Sequence, residues 1–415
     1  MPNTHPELAA GRPGLHDLDR CVAGRDRSLF ADDVGANRQR LRDRLNGLRV
    51  LIVGGGGTIG SATTRLLVEF EPSTLHVIDQ SENYLAELIR DLRSRLSSGS
   101  RIDLRMWPID YGGPIAQRLI HDEASYDIVL NFAALKHVRS EKDVYSLLQM
   151  IDTNVVRQAR FKRWIAERGG CTRYFGVSTD KAADPVSVMG ATKRLMEDVL
   201  FGIAVADSCA VTSARFANVA FSNGSLLQAW LRRLELGQPL AVPRDTRRYF
   251  VTQRESAEIC VLAALLAENR EIIVPRLDSD SDLQLLEKLA INVLALNGFK
   301  AVTFDDETAA SNELGGLRAT GHWPLILSPQ DTSGEKPVEE FVGVGERIYG
   351  TKFKNLLAIS HASVAHLSTG VIDELERLVT TPSPTVAKAD IVAILAAAIP
   401  NFRHIETGKS LDERM

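Results

Sequence analysis

From Leu48 onward, short apolar runs alternate with stretches whose apolar residues recur every three to four positions. RVLIVG, TLHVID and IDLRMWPID are the runs, and SATTRLLVEF and YLAELIRDLRSRL lie between them. Runs of strand length separated by helical periodicity predict strand, helix, strand in repetition, and hence a parallel sheet with right-handed crossovers. The alternation continues through DIVLNFAA (127–134), a helix around NVVRQARFKRWIAERG, the strand RYFGVST, a helix from Ala191 and the strand AVTSARFANV. Six or seven parallel strands within about 170 residues make a doubly wound α/β domain the expected architecture.

The flanks read differently. Residues 1–46 begin as polar sequence broken by Pro and Gly and pass into SLFADDVGANRQRLRDRLNG. There Leu29, Val34, Leu41 and Leu45 predict one short amphipathic helix ending at Gly47, a docking arm ahead of the domain. After residue 223 the pattern is less regular and more helical, with shorter apolar runs such as EIIVPRL and WPLILS, as expected of a smaller lobe that supplies substrate contacts. TTPSPT (380–385) reads as a linker before a final helix, ADIVAILAAAIP. The expected division is an arm over 1–46, the doubly wound domain over 47–222, a substrate-binding lobe over 223–350 interleaved with it, and a helical extension over 351–415.

Composition narrows the class. Of 415 residues 44% are hydrophobic and 25% charged, the balance of a cytosolic globular protein. A formal net charge of -4 argues against a nucleic-acid or anionic-membrane partner, so any phosphate on a ligand must be met locally. Cys21, Cys171, Cys209 and Cys260 are far apart in sequence and form no CxxC pair, which suggests neither a metal site nor a disulfide framework. The histidines show no HxH or HExxH spacing, so no metal is expected. No run reaches the roughly 18 apolar residues that span a bilayer, and the first thirty residues are too polar and acidic for a signal peptide. A soluble, cytoplasmic protein is expected.

Gly54, Gly57 and Gly60 in GGGGTIG stand between the strand RVLIV and the helix SATTRLLVEF. In that context glycines let the backbone turn tightly and approach a pyrophosphate, which sits on the positive end of the helix. Asp79 closes the second strand, where a carboxylate can accept hydrogen bonds from an adenosine ribose and would repel a 2'-phosphate, favouring NAD over NADP. The alternative for this carboxylate is a helix N-cap, a role that Ser81 can equally fill. Asp110, ending the third strand, is placed to meet the adenine amino group or to be a solvated loop carboxylate.

The stretch VSTDKAADPVSVMGATK (177–193) begins at the carboxyl end of a strand, where ligands bind in open α/β sheets. With GGGGTIGS, NFAALKHV, TNV, RFANV, SNGS and GEK it resembles the UDP-N-acetylglucosamine 4,6-dehydratases of the capsule and glycan-biosynthesis type, over about residues 29–350. The resemblance implies a Rossmann-like, NAD-binding extended short-chain dehydrogenase/reductase fold with a smaller C-terminal substrate-binding lobe. It also implies a UDP-linked amino sugar as substrate and a homo-oligomer. Thr179 and Lys193 match the superfamily's Ser/Thr and Lys, but Met189 stands where a tyrosine is expected. A thioether has no proton to exchange, so Met189 cannot be a general base. A branch of the family carries Met there, and for that branch the adjacent Asp and Lys are the implied catalysts.

Hydride transfer from C4 of the sugar to NAD gives a ketone that acidifies C5. A base then removes the C5 proton, an acid protonates the departing C6 hydroxyl, and hydride returns to C6. Asp180 is the expected acid and Lys181 the expected C5 base, with burial expected to push both towards their neutral forms. The bland alternative for the two is a surface ion pair. Asp180, Thr179 with a water, or Lys193 remain open as the group that deprotonates the C4 hydroxyl.

Lys193 is expected at the nicotinamide ribose, and Asn154 as the asparagine that fixes the active-site helix, with a solvated lysine and a helix cap as their alternatives. Thr58, Ile59, Gln80, Ser81, Ala133, Ala134 and Lys136 complete the implied cofactor contacts, Lys136 facing the substrate as well. Asn218, Asn223, Ser225 and Arg248 are implied on the nucleotide-diphosphate side, where the planar fork of Arg can clamp a phosphate. Asn218 as a turn cap, and Arg248 as one solvated arginine beside Arg244 and Arg247, are the plainer readings. His137 is taken as structural, and the polar tail IPNFRHIETGKSLDERM is expected to pack on a neighbouring subunit. A C4-epimerase or 4-reductase, or a catalytically inactive NAD-binding regulatory protein, are the competing functions.

Overall fold

The computed structural model describes residues 13–96, 99–136, 141, 143–329, 336, 338–361, 369–382 and 386–406. Three helices lead: α1 (Leu15–Ala23), α2 (Ala31–Ala36) and α3 (Arg38–Leu45). The single helix expected before Gly47 is therefore broken. Asn37 leaves helical geometry at φ -106° and ψ 7°, and its side-chain Nδ2 donates to Asp33 O at 2.8 Å. The break lets Phe30 and Val34, and then Leu41 and Leu45, reach one common core cluster.

The alternating region follows as β1 (Arg49–Val53), α4 (Thr58–Val68), β2 (Thr74–Asp79), α5 (Glu82–Arg95), β3 (Asp103–Pro108), α6 (Pro114–Asp122) and β4 (Ile128–Asn131). Next, α7 (Val144–Ile151), which the sequence pattern did not single out, runs through a π-helical segment, Asp152–Val156, into the predicted helix, α8 (Arg157–Arg168). β5 (Arg173–Val177), α9 (Val188–Gly202) and β6 (Ala210–Ala214) complete the series. Then come β7 (Asn218–Val219), α10 (Leu226–Leu236), β8 (Leu240–Pro243), β9 (Arg247–Val251), α11 (Gln253–Leu266) and β10 (Glu271–Pro275). β11 (Leu283–Leu285), α12 (Leu286–Leu296), β12 (Lys300–Phe304), α13 (Glu307–Ala319) and β13 (His322–Ser328) lead to β14 (Ile348–Gly350), β15 (Leu356–Ser360), α14 (Thr369–Thr380) and α15 (Lys388–Ala398).

The central sheet has nine strands in the order β14-β15-β10-β6-β5-β4-β1-β2-β3. From β3 to β10 all neighbours are parallel, while β15 and β14 join antiparallel. The order 3-2-1-4-5-6 is that of a dinucleotide-binding doubly wound fold, whose ligand crevice opens at the carboxyl ends of β1 and β4. The sheet runs past the boundaries expected at residues 222 and 350, because its seventh parallel strand is β10 and its outer edge is built by β14 and β15. β8, β12 and β13 form a separate parallel sheet, and β7, β9 and β11 a third.

Helix α11 falls where the sequence pattern seemed irregular. Its residues from Glu255 to Leu266 are all buried, and a helix enclosed on every side shows no polar stripe to betray its period. No described helix is long and apolar enough to cross a membrane. Among the described residues no group of three metal-ligating side chains is present.

The N-terminal helices are more than a loose arm. Leu18 and Val22 join the cluster of Trp230, Phe250, Leu289 and Trp323. Arg25 donates through Nε and Nη2 to the two carboxylate oxygens of Glu255, each at 2.7 Å, and through Nη1 to Asp282 at 3.2 Å. At the other end of the chain, Arg403 N donates to Pro185 O at 3.2 Å and Ile405 N to Val186 O at 2.9 Å. The described start of the tail thus pairs with its own chain beside the turn that precedes α9, and residues 407–415 lie outside the described residues.

Adjacent strand starts also bring together two cysteines that are distant in sequence, for Cys171 and Cys209 lie with their sulfurs 3.9 Å apart. Next to them Lys162 is fully buried, its ammonium donating to Leu200 O, and burial lowers its pKa to about 7.

Two predictions follow from these buried charges. Arg25→Ala strips Glu255 of its partner and should lower stability by roughly 3 kcal/mol in urea unfolding, the low end for a broken buried pair, since 17% of the arginine side chain is exposed. For Lys162 the folded pKa lies below the unfolded value. The penalty for burying the charge is therefore complete below about pH 7 and is relieved as pH rises from there towards 10.5, where the unfolded chain binds the extra proton. Lys162→Met should accordingly be more favourable at pH 6 than at pH 9.5, by up to about 3 kcal/mol in paired urea titrations.

Candidate active site

Gly54 sits at φ +72° at the end of β1, and a Cβ there would lie 2.6 Å from Ala133 N. A Cβ on Gly60 would fall 2.3 Å from Gly54 O. Backbone opposes both, so these two glycines let the loop cross close to the β4 terminus and let α4 pack against the loop. Gly57 differs. It is the N-cap of α4 at an ordinary φ of -66°, without a side-chain cap, and its Cβ would meet only Gly54 O at 3.5 Å. The chain itself does not require glycine at this position, which leaves room before the amide groups of Thr58, Ile59 and Gly60 at the positive end of the helix.

Asp79 at the tip of β2 accepts from Gly56 N at 2.9 Å and from Ser81 N at 2.8 Å. Gln80 lies between them, and Ser81 Oγ caps α5 at Tyr84 N. Asp110 pairs with Arg157 Nη1 at 2.5 Å and accepts from Gly112 N at 3.0 Å. After β4, Ala133 N donates to Asn131 Oδ1 at 2.9 Å, Ala134 follows, and Lys136 Nζ donates to Ser222 Oγ at 3.2 Å. His137 lies outside the described residues. Asn154, inside the π-helical segment, accepts from Leu135 N at 2.8 Å and donates to Leu135 O at 2.9 Å and Thr192 Oγ1 at 3.0 Å. One amide thus ties the loop after β4 to α9.

The loop at residues 222–225 crosses to the same end of the sheet. Asn223 N donates to Thr58 Oγ1 at 3.0 Å, and Asn223 and Thr58 line a cavity of about 170 Å³ together with Arg65, Tyr84 and Gln253. Ser225 caps α10 at Gln228 N, and Asn218 Nδ2 reaches Tyr249 O at 3.4 Å.

β5 leads into a short 3-10 turn, Asp180–Ala182, capped by Thr179. Thr179 Oγ1 donates to Asp180 Oδ1 at 2.7 Å, and Lys181 Nζ stands 3.1 Å from the same oxygen. Asp180 is 2% exposed, so the pair is not a surface one. Met189 is buried in the first turn of α9, with its backbone N donating to Glu141 Oε1 at 2.9 Å. One turn on, Lys193 donates to Val177 O at 2.8 Å, and burial lowers its pKa to about 8. A Cβ on Gly190 would lie 2.5 Å from Lys181 O, so glycine at 190 permits α9 to begin against the turn.

The expected neutral Lys181 is not what the surroundings produce. Burial works against its ammonium, but the carboxylates of Asp180 and Glu339 outweigh that effect and hold its pKa above the usual lysine value. Glu339, Arg215 and Glu141 are contributors that sequence reasoning passed over. Arg215, with no exposure, grips Glu197 at 2.7 and 2.6 Å and Glu346 at 2.6 and 2.8 Å. Burial opposes the charge on Glu346, yet the arginines Arg215 and Arg194 hold its pKa down at about 2. Arg215 stood in the quoted RFANV motif and Glu339 beside GEK, so the segments were visible and their meeting was not. Of GEK itself, only Lys336 is among the described residues.

The family model described as "Polysaccharide biosynthesis protein" matches residues 50–359. The chain belongs to that family. Within the family's span it is 28% identical over 290 residues to the "Probable polysaccharide biosynthesis protein EpsC" of Bacillus subtilis (strain 168), covering 67% of this chain and 46% of EpsC. The chain thus spans about half the length of that relative. It is also 27% identical over 260 residues to a "UDP-N-acetylglucosamine 4,6-dehydratase (inverting)" of Campylobacter jejuni subsp. jejuni serotype O:23/36 (strain 81-176), covering 60% of this chain and 72% of that one. Among solved structures, DesIV (dTDP-glucose 4,6-dehydratase) from Streptomyces venezuelae, determined with NAD bound, matches with a TM-score of 0.53 at 19% identity, over 71% of this chain and 88% of DesIV. That likeness is one of fold.

The glycine loop gives a contrast that can be measured in this member of the polysaccharide biosynthesis family. Gly57→Ala should stay within about 0.5 kcal/mol of the native chain in urea unfolding, as surface changes without a clash do. Gly60→Ala should lose about 1–3 kcal/mol or more, because its new methyl meets backbone that cannot swing aside.

Proposed function

We propose that the chain is an NAD-dependent nucleotide-sugar 4,6-dehydratase acting on a UDP-N-acetylhexosamine, with UDP-N-acetylglucosamine as the first substrate to try. The observation that carries this reading is the buried Asp180, bonded by Thr179 and by the half-buried Lys181 in a turn set against the first turn of α9, where Met189 stands. An epimerase or 4-reductase of this fold needs a proton-exchanging side chain where Met189 stands, and has no use for an acid and a base side by side. The dehydratase named among the relatives supports the same choice.

The residues present fit NAD. The uncapped start of α4, the room before Gly57 and the carboxylate of Asp79 offer a diphosphate seat and a ribose partner. Thr58, Ile59 and Gly60 present amides, Ala133 and Ala134 line the opposite wall, and Lys193 and Asn154 hold the nicotinamide end. When bound, NAD takes hydride from C4 of the sugar and gives it back at C6. Asp79 disfavours a 2'-phosphate and with it NADP.

The chain's own residues do the rest. Both hydrogen bonds to Asp180 fall on Oδ1, so Oδ2 is the oxygen that protonates the leaving C6 hydroxyl. Lys181 removes the C5 proton. Met189 packs against sugar or nicotinamide and keeps water from the reacting carbons. Lys136, Asn218, Asn223, Ser225 and Arg248 are the proposed nucleotide-sugar contacts, with Arg248 already close enough to act electrostatically on Lys181.

Incubation with UDP-N-acetylglucosamine in deuterated water, read by mass spectrometry, tests the reading through loss of one water and label at C5. Asp180→Asn should slow elimination by about 10²- to 10⁴-fold, as loss of a positioned proton donor does. Lys181→Ala should bind nucleotide sugar without C5 exchange, and Met189→Ala should be far milder than either. Full dehydration with normal label in both of the first two variants would refute the site.

A further inference from the structure

Lys181 is faced by a second carboxylate from a distant part of the chain. Glu339 Oε1 lies 3.5 Å from Lys181 Nζ, on a side chain that is 6% exposed. Its segment is fixed on both flanks. Lys336 Nζ donates to Ala183 O at 3.2 Å, and Phe341 O accepts from Arg215 Nη1 at 3.0 Å. The charges that face Lys181 are those of Asp180, Glu339 and Arg248, and those that face Glu339 are Lys181, Asp180, Arg248 and Lys336.

An ammonium between two carboxylates is a poor base. It becomes a good one if its proton crosses to a neighbour, and that transfer from nitrogen to oxygen sends no net charge into or out of the buried site. Asp180 is committed to the C6 oxygen, which leaves Glu339 as the acceptor. Burial raises its pKa, which favours a proton on its carboxyl.

We propose that Glu339 is the proton partner of Lys181, taking the ammonium proton so that the amine can act as a base. The purpose of this exchange rests on the dehydratase reading; the pairing itself does not. In the exchange one N–H bond of Lys181 breaks, an O–H bond forms on Glu339, and the electron pair stays on nitrogen. That pair takes the C5 proton, the C5–H electrons form the C5–C6 double bond, and the C6–O bond breaks as Asp180 passes to the departing oxygen the proton that its carboxylate took from the C4 hydroxyl at the hydride transfer, which completes the water. When the C5 proton is later returned from Lys181, Glu339 hands its proton back to the amine.

The pairing is tested on the full chain by the pH profile of Lys181 carbamylation with cyanate, followed by peptide mass spectrometry. This readout reports the free amine with or without turnover. In Glu339→Gln the midpoint should fall by about one pH unit or more, the lower end of the shift produced by a charge within about 4–6 Å. In Glu339→Asp, which keeps the charge, it should stay near the native value. Equal midpoints in the native protein and Glu339→Gln overturn the proposal. A second readout is C5 label uptake from deuterated water with UDP-N-acetylglucosamine. Glu339→Gln should lose it about 10²-fold or more while still binding the nucleotide sugar, and Glu339→Asp should recover part of it; full uptake in Glu339→Gln is equally fatal. If the native chain leaves UDP-N-acetylglucosamine unchanged, the dehydratase reading falls, and the carbamylation profiles still decide the role of Glu339.

Discussion

A guanidinium shut away from water joins three segments of this protein that are remote in sequence. Arg215 follows β6, Glu197 lies in α9, and Glu346 follows the segment that carries Glu339. An arginine buried without partners would be severely destabilising, whereas one whose fork is filled by two carboxylates fixes all three partners in register. Glu197 also accepts from Ser178 Oγ at 2.6 Å, just before Thr179. The turn of Asp180 and Lys181, helix α9 and the segment that carries Glu339 are therefore all positioned from a single charge, and lysine, with one compact ammonium, could not fill the same fork geometry.

What the sequence disclosed was whatever depends on neighbours along the chain. Parallel strands buried on both faces give continuous apolar runs, and β1, β2, β4, β5 and β6 could be picked out one by one. Gly54 and Gly60 stood out because a strand-to-helix turn of this kind forces glycine locally. Helix α11 was hidden for the opposite reason, since enclosure on every side erases the polar stripe that marks a helix. The division at Asn37 was hidden too, because apolar positions on two short helices aimed at one core can imitate the period of a single longer one.

The site shows the same divide. Asp180 and Lys181 adjoin in sequence, so their partnership was legible, and Met189 revealed a missing hydroxyl by its identity alone. Their protonation was not legible. Burial by itself argues for a neutral lysine, and only the fold reveals the second carboxylate, Glu339, that joins Asp180 in reversing the argument. Cys171 and Cys209 make the point in miniature, being separated in the chain and nearly in contact where β5 and β6 begin side by side.

The pairing of Arg403 and Ile405 with Pro185 and Val186 has a consequence for how the molecule is made. During synthesis from the amino end, the glycine loop can take shape once β1, α4 and β2 have emerged, since Gly60 packs on Gly54 and Asp79 accepts from Gly56, while its contacts with Ala133 and Asn223 wait for later segments. Asp180 and Lys181 emerge much later, and the residues that brace their turn, Glu339, Glu346 and then Arg403 and Ile405, later still. A nascent chain therefore passes through a period in which much of the glycine loop exists while the Asp180–Ala182 turn is unsupported. Long-range contacts of this kind form slowly, and the surfaces awaiting them stay open to mispairing until they do. In this protein the glycine-loop side of the crevice is an early product of translation and the side around Asp180 a late one.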